Sequence, residues 1–245
     1  MLKEIHRCVD KYGAIQVLDD GAKRYLAFGN DHEQSCQIKA SPHIPQHEYS
    51  RAIMMVLLFC KPQSVCVLGL GGGTSVMAFM NALPEGQVSA VELRPEVVKI
   101  AHHYFKLPKH ENLVIHESDA KDFLINNKQS YDVLVADLYH HHGIDEFQLQ
   151  TAFIDQCARS TSDGGWLVLN YWLDHEIPET LLSHLHDHFE QLFVCNSGGG
   201  NWIIYAGKIA ADEDYLEKTR VKPLAKTLGF SLNYYLKRLK TLTLT

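Results

Sequence analysis

Positive charge is not in surplus in this chain: 23 Lys and Arg stand against 29 Asp and Glu in 245 residues, a formal charge of −6 at pH 7. Affinity for a phosphate backbone comes from clustered Lys and Arg, so the balance argues against a nucleic-acid partner. Long apolar runs are missing too. The longest, over residues 52–60, is too short to span a bilayer, so no membrane partner is expected. The opening MLKEIHRCVDKYG holds no apolar core of a secretory signal. The six cysteines, Cys8, Cys36, Cys60, Cys66, Cys157 and Cys195, form no C-x-x-C pair. That spacing suits reduced thiols better than a disulfide framework or a zinc site. Internal repeats and low-complexity tracts are also lacking. These absences leave a soluble, cytoplasmic chain of enzyme size as the expectation.

What is present is ordinary globular material, 46% hydrophobic and 21% charged, enough for one large domain with a small appendage. Residues 14–18, Asp19-Asp20-Gly21 and residues 24–28 read as strand, turn and strand, with Asp-Gly as the hairpin signal. Pro42 and Pro45 punctuate a connector, and residues 49–59 have helical apolar spacing ended by Lys61-Pro62. Then the period changes. Strands are predicted over 64–68, 88–91, 113–116, 131–136 and 165–170, with helices over 75–83, 95–105, 120–126 and 147–159 between them. Such alternation implies a parallel, doubly wound sheet. After a helix over 178–188, strands over 192–195 and 202–206 are separated by too few residues for a parallel crossover. They should close the sheet as an antiparallel hairpin, an ending typical of methyltransferase-type sheets. The expected fold is therefore α/β: a seven-stranded, methyltransferase-like Rossmann sheet with a small N-terminal β appendage. The boundaries are residues 1–45 for the appendage, 46–210 for the nucleoside-binding domain and 211–245 for a C-terminal helical extension.

The chemistry-bearing positions sit at strand ends. Gly69-Leu70-Gly71-Gly72-Gly73 joins the first strand of the large sheet to its helix, where glycine lets the backbone approach a ligand. A dinucleotide fingerprint would need glycine at position 74, which is Thr74. Glu92 ends the second strand, where an acid can accept both ribose hydroxyls. Asp119-Ala120 follows the third, at the level of an adenine amino group, and Asp137 follows the fourth. Any one of these acids could be a helix N-cap, Asp119 in particular. Four such features in order at four successive strand ends are not explained by capping alone.

From Tyr12 to about Gly207 the chain resembles the spermidine synthase family of aminopropyltransferases, and within it the bacterial spermidine synthase-like branch. The matching residues include Tyr12-Gly13, Arg24-x-Leu26-x-Phe28, Gln34-Ser35, Tyr49-x-Arg51-Ala52, the 69–73 glycine loop, Val91-Glu92, Asp119-Ala120 and the segment Tyr131 to Asp137. The resemblance implies an adenosyl co-substrate, S-adenosylmethionine or its decarboxylated form, held by Gly69, Leu70, Gly71, Gly73, Glu92, Asp119 and Ala120. It makes Asp137 the base or amine-orienting carboxylate, with Tyr49 supporting it. An attacking amine must be neutral, so a carboxylate near the electrophilic carbon agrees with the chemistry. A small-molecule acceptor, an amine, follows as partner. The family's β appendage often joins subunits, which raises a homodimer.

Two departures matter. The aspartate of the family's GGGDG loop falls on Gly72, and the second aspartate of its DSSD loop falls on His140. Losing two carboxylates from a dication's pocket forfeits charge-assisted hydrogen bonds of about 1.5–3 kcal/mol each. Asp145, Glu146, Asp174 and Glu176 are possible substitutes. The resulting expectation is a transferase that alkylates an amine. The alternatives are a methyltransferase using S-adenosylmethionine, which Gly72 favours, and a non-catalytic adenosyl-nucleoside-binding domain. No metal is expected, because consecutive His140-His141-His142 cannot all face one way.

Overall fold

The computed structural model describes residues 2–29, 32–140, 143–144, 148, 150–172 and 179–243. The chain opens with four strands, β1 (Lys3–Asp10), β2 (Gly13–Asp19), β3 (Lys23–Phe28) and β4 (His32–Ile38), in an antiparallel sheet of order β1-β2-β3-β4. The Asp-Gly turn is where the sequence placed it. Asp19 accepts from the Gly21 amide at 2.7 Å and pairs with Arg24 at 2.7 Å and Lys39 at 2.9 Å, contacts that hold its carboxyl well below the usual range. Strands β1 and β4 flank the predicted hairpin. The burial of β1 alternates weakly, so the sequence pattern did not announce it.

The connector leads to α1 (Glu48–Ile53) and α2 (Val56–Phe59), and then to the alternating region. This runs β5 (Ser64–Leu68), α3 (Thr74–Ala82), β6 (Gln87–Glu92), α4 (Pro95–Tyr104), β7 (Leu113–Glu117), α5 (Ala120–Asn126) and β8 (Tyr131–Ala136). A two-residue ladder, β9 (Tyr139–His140) with β10 (Gly143–Ile144), precedes α6 (Thr151–Ser160), β11 (Thr161–Trp172), α7 (Glu179–His188), β12 (Gln191–Asn196) and β13 (Asn201–Gly207). The tail holds α8 (Lys218–Leu228), α9 (Asn233–Leu236) and β14 (Leu239–Thr241). Strand order in the large sheet is β14-β12-β13-β11-β8-β5-β6-β7. The five strands from β11 to β7 are parallel, and β13, β12 and β14 are antiparallel.

All seven expected strands and the closing hairpin are present. The tail is a correction to the helical extension expected at 211–245: after two helices it returns as β14 to pair with β12, making an eighth strand. Three residues, partly to fully exposed, carry too little periodicity to be read as a strand. No described helix is long and apolar enough to cross a membrane.

Alternation along the central strands sends Val65, Val67, Val133, Val135 and Val168 to one face of the sheet and Cys66, Leu68, Leu134, Ala136 and Leu169 to the other. The first face is covered by α1, α2, α3 and α8, and the second by α6 and α7. Met54 and Met55 are fully buried in the first, as expected of packing residues. The small sheet has its own core: Ile15, Val17 and Leu26 pack on Val97, Ile100 and Phe105 of and just after α4. Polar contacts fix the same junction. Buried Gln37 donates to the Phe105 carbonyl at 2.7 Å, and Arg94, 6% exposed at its side chain, pairs with Asp10 at 2.8 Å.

Candidate active site

From β5 the chain crosses to β6 and β7 on one side of the sheet, and from β8 it crosses to β11 on the other. Loops leaving β5 and β8 therefore diverge, and a crevice opens at their carboxyl ends. A cavity of about 1150 Å³ occupies it, and the small sheet supplies the facing wall through Tyr12, Phe28 and Ser35.

Gly69, Leu70, Gly71, Glu92, Asp119, Ala120, Tyr49 and Asp137, residues predicted from strand ends and from resemblance, all line this one cavity. Gly73 does not. It caps α3 at φ +76°, and a Cβ there would lie 2.9 Å from Leu107 Cδ1, so packing and backbone conformation require the glycine. Gly69 is needed for a different reason. Its φ is +96°, and any Cβ would strike the Asp137 carbonyl oxygen. Glycine here lets the two loops of the crevice touch.

Gly72 also lies outside the cavity wall. A Cβ there would meet Phe105 Cδ1 and Ser35 Cβ at 3.0 Å, while its amide donates to Ser35 Oγ at 2.9 Å. A side chain at this position must displace both neighbours. Introducing at 72 the aspartate that the family's loop carries would therefore disturb packing as well as charge. The other possible substitutes for the missing carboxylates, Asp145, Glu146, Asp174 and Glu176, lie outside the described residues, as do His141 and His142.

Glu92 ends β6 with its side chain turned back on the glycine loop. One oxygen accepts from the amides of Leu70 at 3.2 Å and Gly71 at 3.4 Å, and the other accepts from the Arg94 amide at 3.0 Å. Burial pushes its carboxyl above the usual range, and these three amides oppose that rise. Asp119 is the N-cap of α5, accepting from the amides of Lys121 at 2.7 Å and Asp122 at 3.4 Å, so the capping role considered from sequence is real. It is exposed and still lines the cavity.

Asp137 follows β8, its amide tied to the Leu68 carbonyl at 2.9 Å. Burial pushes its carboxyl up to about 6, against the effect of one hydrogen bond from Asn170 Nδ2 at 2.8 Å. Asn170 Oδ1 in turn accepts from Asn201 Nδ2 at 2.9 Å, and both asparagines are buried. This Asn201–Asn170–Asp137 chain was not found from sequence. The only signals were an Asn ending an apolar strand and another after a glycine turn, and neither pattern is specific. Tyr49 lies close enough that the Asp137 charge, added to the larger effect of burial, raises its phenol well above the usual range. Its ring stacks on His47 with centroids 5.3 Å apart. Thr74 was missed as well: in the first turn of α3, it lines the cavity, and its buried hydroxyl has no hydrogen-bond partner among the described residues.

Comparison with known proteins bears on the fold that carries this cavity. A family described as a methyltransferase domain matches residues 65–165. A polyamine aminopropyltransferase of Neisseria meningitidis serogroup A is 28% identical over 226 residues, covering 90% of this chain and 86% of the relative. A probable spermidine synthase from Corynebacterium glutamicum superposes with a TM-score of 0.78 at 19% identity, over 98% of this chain and 90% of its own. Human methyltransferase-like protein 13, solved in complex with SAH, superposes with a TM-score of 0.60 at 22% identity, over 77% and 95%. The resemblance drawn from the sequence motifs is thus met over most of the chain, and the fold is the methyltransferase-like α/β sheet with a separate N-terminal sheet.

Proposed function

We propose that this chain is a spermidine synthase-like transferase that takes an alkyl group from S-adenosylmethionine, or its decarboxylated form, and places it on an amine. The observation that carries the reading is Asp137: a carboxyl raised to about 6, at the carboxyl end of β8, in one cavity with Glu92 and the glycine loop. A group with that pKa is mostly ionised at neutral pH and can orient a neutral amine and take the proton it sheds as it attacks.

In this reading Gly69, Leu70 and Gly71 line the sulfonium end, Glu92 accepts from the ribose hydroxyls, and Asp119 with Ala120 borders the adenine. Ribose binding asks Glu92 to share its oxygens between the loop amides and the sugar, which an ionised carboxylate with about four lone-pair sites can do. Asp137 orients the amine and accepts its proton, and Tyr49 walls that end of the cavity. The sulfonium is already a good leaving group, so the remaining catalysis is in-line positioning.

A methyl-transfer reading rests on the sequence, in which the family's loop aspartate is replaced by Gly72 and no carboxylate is offered against that of ordinary S-adenosylmethionine; the fold weakens it by turning position 72 toward Phe105 and Ser35 and away from the cavity. The deciding experiment incubates the chain with each donor and a panel of diamines and monoamines, then identifies products by mass spectrometry. An aminopropylated amine supports the proposal, and a methylated product supports the second reading. Tight binding of methylthioadenosine with neither product would leave only a nucleoside-binding domain.

A further inference from the structure

On the second face of the sheet, away from the cavity, α6 packs beside α7, and three side chains with metal-ligating atoms converge. His184 and His188 stand one turn apart on α7, with ring centroids 5.0 Å apart. Their Nε2 atoms each lie 2.8 Å from the same oxygen, Oδ1 of Asp155 on α6. The three donor atoms lie within 4.8 Å of one another.

We propose that Asp155, His184 and His188 form a binding site for a divalent transition-metal ion, independent of the transfer chemistry. Two imidazole nitrogens and one carboxylate oxygen are a donor set suited to Zn²⁺, Ni²⁺ or Cu²⁺, and not to Mg²⁺ or Ca²⁺, which prefer all-oxygen shells. Residues at i and i+4 of a helix share a face, so the backbone presents the two rings together before any ion arrives. Tetrahedral bonds of 2.0–2.1 Å need donors about 3.4 Å apart, a short opening from the observed 2.8 Å contacts. The side chains have room to make it, being 24%, 33% and 42% exposed for His184, His188 and Asp155.

A second carboxylate supports the assignment. Asp187 Oδ2 lies 3.6 Å from His184 Nδ1, the ring nitrogen that does not face Asp155. Metal-bound histidines commonly present their other nitrogen to a carboxylate, which fixes the tautomer and the ring plane. Binding needs each imidazole neutral with its proton on Nδ1, so that the Nε2 lone pair goes to the ion. Three protein donors and partial exposure leave the fourth position to water, so the ion exchanges. It would clamp α6 to α7 through their outer turns, above the apolar contact of Phe153, Ile154 and Cys157 with Leu181 and Leu185.

The test uses untagged full-length chain stripped with chelator and titrated with Zn²⁺ by calorimetry, with Co²⁺ as a spectroscopic probe. One equivalent should bind, raising Tm, and the Co²⁺ spectrum should show ligand-field bands without thiolate charge transfer. His184→Ala and His188→Ala should each weaken Zn²⁺ binding by more than about 100-fold, Asp155→Asn by less, and Asp187→Asn by about tenfold. Metal-free Tm and far-UV circular dichroism check that each variant folds. Asp155→Asn keeps the shape of the site should either alanine variant unfold. The proposal fails if native chain shows no binding at about 100 µM Zn²⁺, a concentration that would already half-saturate a site of only −5.5 kcal/mol. It also fails if the His184→Ala/His188→Ala double variant binds as well as the native chain, or if Co²⁺ reports thiolate ligands.

Discussion

Replacing Asp137 by Asn separates catalysis from architecture, because the two should move in opposite directions. The side chains are nearly isosteric, and Asn keeps an oxygen for the Asn170 amide, which donates at 2.8 Å. A carboxylate acting as general base contributes about 10²–10⁴ in rate, equivalent to about 2.7–5.5 kcal/mol of barrier. Turnover should fall by that factor while nucleoside binding is spared. Stability should rise. The folded carboxyl titrates at about 6 because burial disfavours its charge, against 3.8 for the ordinary group. A folded pKa above the unfolded one means that the native state binds more protons between pH 4 and 6. Stability is therefore fully present below pH 4 and is lost as pH rises through that window. Two pH units correspond to about 3 kcal/mol, and solvent screening of this half-buried residue lowers this, so Asn should gain about 1–3 kcal/mol at pH 7 and almost nothing at pH 4. Denaturant titrations at the two pH values, beside the turnover and binding assays, read all three quantities. Near-native turnover in Asp137→Asn would refute the role of base. Unchanged stability at pH 7 would refute the buried charge on which that role rests.

Other outcomes follow from neighbouring contacts. Asn170→Ala removes the hydrogen bond that lowers the Asp137 pKa, so the acid limb of the pH–rate profile should move to higher pH; an unmoved limb would detach Asn170 from the titrating group. Glu92→Gln should weaken methylthioadenosine binding by about tenfold or more through lost charge-assisted hydrogen bonds, and Glu92→Ala further, because the Leu70, Gly71 and Arg94 amides then lose their acceptor. Calorimetry giving equal Kd for native and Gln proteins would remove the ribose assignment. Gly69→Ala drives a methyl into the Asp137 carbonyl at φ +96°, so it should cost about 1–3 kcal/mol or more in urea denaturation and disturb the loop that carries Asp137.

The sequence by itself determined the sheet and the ring of acids at its edge. Strands buried on both faces write themselves as short β-branched runs such as Ser64–Leu68, and ligand-facing residues of a parallel sheet must fall just after those runs. Glu92, Asp119 and Asp137 were legible for that reason, and the spacing of the last two predicted strands required an antiparallel closure. Contacts between residues far apart in the chain leave no such periodic trace, and the fold alone decided them. Asn201 reaches Asn170 across 31 positions because β13 and β11 are sheet neighbours, and Gly69 meets Asp137 because β5 and β8 are. Tertiary packing likewise turned Gly72 and Gly73 away from the cavity toward Phe105 and Leu107, where a loop read as one motif is split between cavity wall and core. It also set Asp155 against His184 and His188, since a carboxylate 29 residues from a histidine becomes its neighbour only when α6 and α7 pack side by side.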